Sequence, residues 1–108
     1  MNFLEVRVSS PASDADRLAE ALVDERLAAC AQVIHGVRST YVWEGAVESA
    51  DEVLLLLKTR DDLFDALAAR VGELHPYDVP EVVAVPLTHL SPSYAAWLAD
   101  SLGAPPCP

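Results

Sequence analysis

Strand and helix signals in the order strand, helix, strand, strand, helix, strand predict a ferredoxin-like α+β sandwich (βαββαβ) with a long β-hairpin and an extra C-terminal helix. Three observations carry this expectation. Residues 3–8 alternate apolar and polar side chains, two later segments carry apolar stripes at helical spacing, and Glu44-Gly45 separates two long strand-like runs. At 108 residues there is room for one domain, taken as residues 1–103, followed by a flexible proline-rich tail at 104–108.

In the first strand Leu4, Val6 and Val8 share one face, and Phe3, Glu5 and Arg7 the other. Residues 9–12 break it. Ser13 and Asp16 resemble a capping box, and Leu18, Ala19, Leu22 and Val23 form the stripe of a helix running to about Arg26. The second strand spans residues 30–43, bent or bulged near Gly36. After the turn, residues 46–52 are small or acidic and should protrude, whereas residues 53–57 are apolar on both faces, as in a strand covered above and below. Thr59 and Asp62 repeat the capping pattern before Leu63, Phe64, Leu67, Val71 and Leu74, and Pro76 stops that helix. A fourth strand covers residues 81–87. Ser91-Pro92 opens the last helix, which turns Tyr94, Trp97 and Leu98 inward and ends at Gly103. Helices on one side leave the sheet face bearing Phe3, Glu5 and Arg7 bare, which argues for oligomerisation.

Seventeen acidic residues against seven basic ones give a formal charge of -10. The basic residues are spread singly, so the cation cluster that nucleic-acid binding requires is missing, and an acidic surface repels anionic membranes while attracting cations. The apolar run at residues 53–57, like every other in the chain, is far short of the roughly 20 residues that span a bilayer. Cys30 and Cys107 sit in unlike contexts and read as free thiols suited to a reducing compartment. A cytoplasmic chain without nucleic-acid or membrane partners is expected. No nucleophile elbow, phosphate loop, zinc spacing or nucleotide fingerprint names a reaction, so the expectation is non-catalytic.

Four segments resemble the CutA divalent-cation tolerance family: Glu25-Arg26-Leu27-Ala28-Ala29-Cys30-Ala31, Ser39-Thr40-Tyr41-Val42-Trp43-Glu44-Gly45, Leu56-Leu57-Lys58-Thr59 and His75-Pro76-Tyr77-Asp78-Val79-Pro80-Glu81. The run from Ser91 to Trp97 is similar to the family's terminal helix. The resemblance implies a homotrimer whose hairpins wrap neighbouring subunits, similar in architecture to the PII signalling proteins. It also implies a part in the response to divalent metal ions, with copper or another divalent cation as ligand. Bacterial members credited with copper binding have a cysteine near the end of the first strand and two adjacent histidines before the proline. Here the strand ends Val8-Ser9-Ser10 and Leu74 precedes His75, so His75 alone is carried over as the metal candidate. A PII-like signalling or small-ligand module is the alternative, and an enzyme with a subunit-interface cleft a further one. No residue pattern names a downstream protein partner.

The candidate ligand-binding cleft between subunits comprises Cys30, Tyr41, Trp43, Lys58, Tyr77 and Glu81. Cys30 reads as a packed thiol or a pocket lining. Lys58, the only lysine, and Glu81 are expected to pair at the cleft, either binding a polar ligand and moving protons or setting register between subunits. Tyr41, Trp43 and Tyr77 have the polar-tipped aromatic character common at interfaces. His75 is either a metal ligand or a hydrogen-bonded closure of the helix end. The acidic pair Asp51-Glu52 and the group Asp61, Asp62 and Asp65 read as solvated surface.

Overall fold

The computed structural model describes residues 2–103; the expected tail at 104–108, with Cys107, lies outside the described residues. One antiparallel sheet has the order β2-β3-β1-β4, built from β1 (Phe3–Ser10), β2 (Cys30–Trp43), β3 (Ala46–Arg60) and β4 (Val83–Pro86). Helices α1 (Ala12–Asp24) and α2 (Phe64–Leu74) supply the second layer, and α3 (Pro92–Leu102) is the extra helix. This is the mixed α+β architecture the element order predicts.

The main core lies between the sheet and α1/α2. Val6 and Val8 of β1 meet Leu18 and Leu22 of α1, Leu55 and Leu57 of β3, and Leu67 and Val71 of α2, all fully buried. A second cluster sits at one end, where Leu98 and Leu102 of α3 cover Phe3 and Leu63. Phe3 is therefore buried, and the face expected to be bare is capped at that end. Beyond it the face stays open: Leu54 and Leu56 are half-buried, while Ile34, Val83 and Val85 are exposed. No second layer of the same chain covers β3 and β4 there.

Glu44 and Gly45 have φ of 50° and 81°, the paired positive values of a two-residue hairpin turn. The ladder between β2 and β3 skips from Ile34↔Leu54 to Val37↔Glu52, a bulge at Gly36, whose φ is 82°. The hairpin's reach gives the chain extents of 44 × 28 × 23 Å.

Several local readings are corrected. Neither expected capping box forms: α1 begins two residues earlier than a Ser13 cap requires, at Ala12, so Ser13 lies inside the first turn and meets the Asp14 carboxylate instead. Thr59 stays in β3, its hydroxyl donating to the Leu27 carbonyl at 2.6 Å, and a 3-10 turn at Asp61–Leu63 leads into α2. β4 is shorter than residues 81–87, because its ladder with β1 runs only from Val83 to Pro86. Tyr94 and Trp97 are exposed, since Leu98 and Leu102 form the inward stripe of α3. The Ser91 cap and the Gly103 stop stand as read, with Ser91 Oγ accepting from the Tyr94 N–H at 3.4 Å.

Candidate functional site

The sheet register sorts the candidate residues into two places. Cys30 pairs with Lys58, Lys58 with Glu5, and Glu5 with Val85, so these four form one row across the open face. Lys58 Nζ lies 3.6 Å from Glu5 Oε2 and 3.5 Å from Gln32 Oε1, with the Lys58 and Glu5 side chains 14% and 18% exposed. Within the chain the ion-pair partner of Lys58 is thus Glu5 and not Glu81, which is exposed in the connection ahead of β4. Over this row, the Tyr94 hydroxyl of α3 stands 3.5 Å from Cys30 Sγ. That contact, followed by partial burial, pushes the Tyr94 phenol up to about 12. An open groove of about 1010 Å³ runs alongside, lined by Cys30, Trp97, Val23, Glu20 and Arg26.

The second place is the base of the hairpin. The Tyr77 hydroxyl donates to Glu52 Oε2 at 3.0 Å, and Glu52 is 7% exposed, so it is not the solvated residue its acidic neighbourhood suggests. Partial burial, then the hydrogen bond and charge of Glu52, and more weakly Tyr41 and Asp14, push the Tyr77 phenol up to about 12. Tyr41 lies across the ladder from Glu48, two positions from Ala50 and four from Glu52 along the same strand face. Trp43 is further out, opposite Ala46 beside the turn, and half-exposed.

His75 closes the end of α2 with both ring nitrogens. Nδ1 accepts from the Tyr77 N–H at 3.1 Å, which leaves Nε2 as the donor to the Ser9 carbonyl at 2.7 Å. The ring is buried and lies 4.8 Å from that of Tyr77. A metal ligand needs a free nitrogen lone pair, and this imidazole has none to spare. Among the described residues, no three His, Cys, Asp or Glu side chains are grouped to hold a metal ion. A resident cation does not fit the donor set that the described residues of one chain bring together.

Sequence reasoning misses three contributors. Glu52 continues the face of Leu54 and Leu56 at period two, a signal that could have marked it as more than surface charge. Arg60 is 1% exposed, its Nε bonded to Asp62 Oδ1 at 2.8 Å and one Nη to the Gly103 carbonyl at 2.7 Å, tying β3 to the end of α3. Glu5 gives no local sign of its partnership with Lys58.

No helix is long and apolar enough to cross a membrane among the described residues. The profile of the CutA1 divalent ion tolerance protein matches residues 5–101. The chain is 45% identical over 97 residues to the chloroplastic CutA of Arabidopsis thaliana, covering 89% of this chain and 53% of that protein. It is 43% identical over 99 residues to the divalent-cation tolerance protein CutA of Thermus thermophilus, covering 91% and 96%. It therefore spans about half the length of the plant relative and nearly all of the bacterial one. The crystal structure of CutA1 from Oryza sativa superposes with a TM-score of 0.90 at 41% identity, over 94% of both chains. The motifs, the sheet order and these likenesses agree across almost the whole chain, which belongs to the CutA1 divalent ion tolerance family.

Proposed function

We propose that this chain acts as a non-catalytic, cytoplasmic homotrimer in the response to divalent metal ions, with copper or another divalent cation as its ligand. The observation that carries the assembly is the open sheet face. Leu54 and Leu56 are half-buried with Ile34, Val83 and Val85 exposed around them, beside a hairpin that projects from the body. Arg7 and Glu5 of β1 lie between the apolar positions of β3 and those of β4, and exposed apolar residues interspersed with polar ones are the mix that a protein contact carries. The cation reading rests on family membership and on the charge of -10, which draws cations to the surface. Since one chain brings no ligand set together among its described residues, a bound cation would be completed across copies.

Cys30, Lys58, Tyr41, Trp43, Tyr77 and Glu81 are proposed to line the cleft that such copies share. Lys58, held by Glu5 and Gln32, favours a register-setting role over a free catalytic amine. Solution mass tests the assembly, and a monomer at micromolar concentration rejects it. Titrating copper against the parent chain and His75→Ala tests the cation: no binding to either removes copper from the reading.

A second reading, a PII-like signalling or small-ligand module, is favoured by the groove beside Cys30 and Trp97. Small-ligand binding that disappears in Trp97→Ala would support it, and binding indifferent to Trp97 would move the ligand elsewhere.

A further inference from the structure

Residues 37–52 form the outer half of the hairpin, and none of them belongs to either buried cluster. The contacts Arg38–Asp51, at 2.9 Å, and Thr40–Ser49, at 3.2 Å, run within the ribbon. Among the described residues, a single side-chain hydrogen bond leaves this half for the rest of the chain: Tyr77 Oη to Glu52 Oε2.

The join between the two halves is built to bend. The ladder is interrupted between Ile34 and Val37, and Gly36 takes a φ of 82°. Bulges disrupt the pairing and bend the strand, and a two-stranded ribbon has little to resist such motion. A space of about 270 Å³, lined by Ala12, His35, Gly36, Arg38, Asp51 and Glu52, lies at this junction.

Tyr77, in contrast, is firmly placed. Its N–H is held by His75 Nδ1, and His75 Nε2 is held by the Ser9 carbonyl of β1. An unbroken line of hydrogen bonds therefore runs from β1 through His75 and Tyr77 to Glu52. We propose that Tyr77 is a latch: its bond to Glu52 fixes the pitch of the hairpin against the body, and releasing it lets the hairpin swing about the bulge at Gly36. The consequence for assembly rests on the trimer reading above. A hairpin held in advance at one pitch loses less freedom when it meets a second copy.

The test places spin labels at Val47→Cys on the hairpin and Glu73→Cys on α2, in a Cys30→Ser, Cys107→Ser background. Labelled chain is diluted into excess unlabelled chain, so that distances within one chain are read by pulsed electron resonance. The parent should give one narrow distance peak. Tyr77→Phe and Glu52→Ala should each lose it to a broad distribution. Glu52→Gln should keep the narrow peak, because its amide oxygen still accepts from the phenol. A narrow peak in Tyr77→Phe, or a broad one in Glu52→Gln, overturns the latch. Solution mass on the same samples separates the two ideas: a monomer showing this pattern rejects the trimer and keeps the latch, and a trimer without it does the reverse.

Discussion

The imidazole of His75 donates from Nε2 to the carbonyl of Ser9 across 2.7 Å, joining the end of α2 to the end of β1 inside the protein. With Nδ1 taken by the Tyr77 N–H, the ring satisfies two backbone groups at once. Truncating it would leave both without a partner in a poorly hydrated site. His75→Ala should therefore lower unfolding stability by about 1–3 kcal/mol, the usual penalty for orphaned buried polar groups. Chemical denaturation measures this. Copper bound per folded chain should be unchanged, and loss of binding without loss of stability would reassign His75 as a ligand.

Alkaline pH offers a second test. The phenols of Tyr77 and Tyr94 are both raised, to about 12, so folding favours their protonated forms. Their contribution is fully present below the ordinary value near 10 and is lost as pH climbs from there through about 12. Melting temperature should fall across that window. Tyr77→Phe combined with Tyr94→Phe should flatten the fall, and an equally steep fall in the double variant would show that other groups cause it.

The hairpin turn should be improvable. Glu44 holds a φ of 50°, a left-handed conformation that a non-glycine side chain resists and asparagine tolerates better. Glu44→Asn should raise stability by up to about 1 kcal/mol, whereas Gly45→Val, at a φ of 81°, should lower it by at least about 1 kcal/mol. Paired unfolding curves decide both signs.

Charge on the open face should separate copies without unfolding them. Leu56→Glu with Val85→Lys adds charge to half-exposed positions of β3 and β4, away from the helix-side core. The expected result is a smaller solution mass with the circular dichroism of the folded chain retained. An unchanged mass would mean that this face is not the contact.

Much of the fold was legible because its signals are local. Glu44-Gly45, Gly36, Pro76, Ser91-Pro92 and Gly103 each act on the backbone beside them, and each marks a turn, bulge or helix end where expected. Side-chain partnership was less legible, because it depends on which strands lie together. Lys58 and Glu81 are expected to pair at a cleft between subunits, but nothing local in the sequence shows that within one chain the ladder sets Lys58 against Glu5. Ser13 and Thr59 have the residue types of helix caps, yet one falls within the first turn and the other bonds Leu27. Tyr94 and Trp97 are large enough to read as core, but the stripe of α3 selects Leu98 and Leu102.

The extra residue at the bulge also governs how this hairpin can change length. Even-numbered residues before it and odd-numbered residues after it share one face, as the partners Ile34↔Leu54 and Val37↔Glu52 require. Removing the extra residue at the bulge would only restore a regular ladder, with Val37 still opposite Glu52, whereas removing one residue beyond it would exchange Tyr41 and Trp43 for Val42. Insertions or deletions in this arm are tolerable only in twos on each strand, so length variants of this hairpin should differ by whole two-residue steps on either side of Gly45.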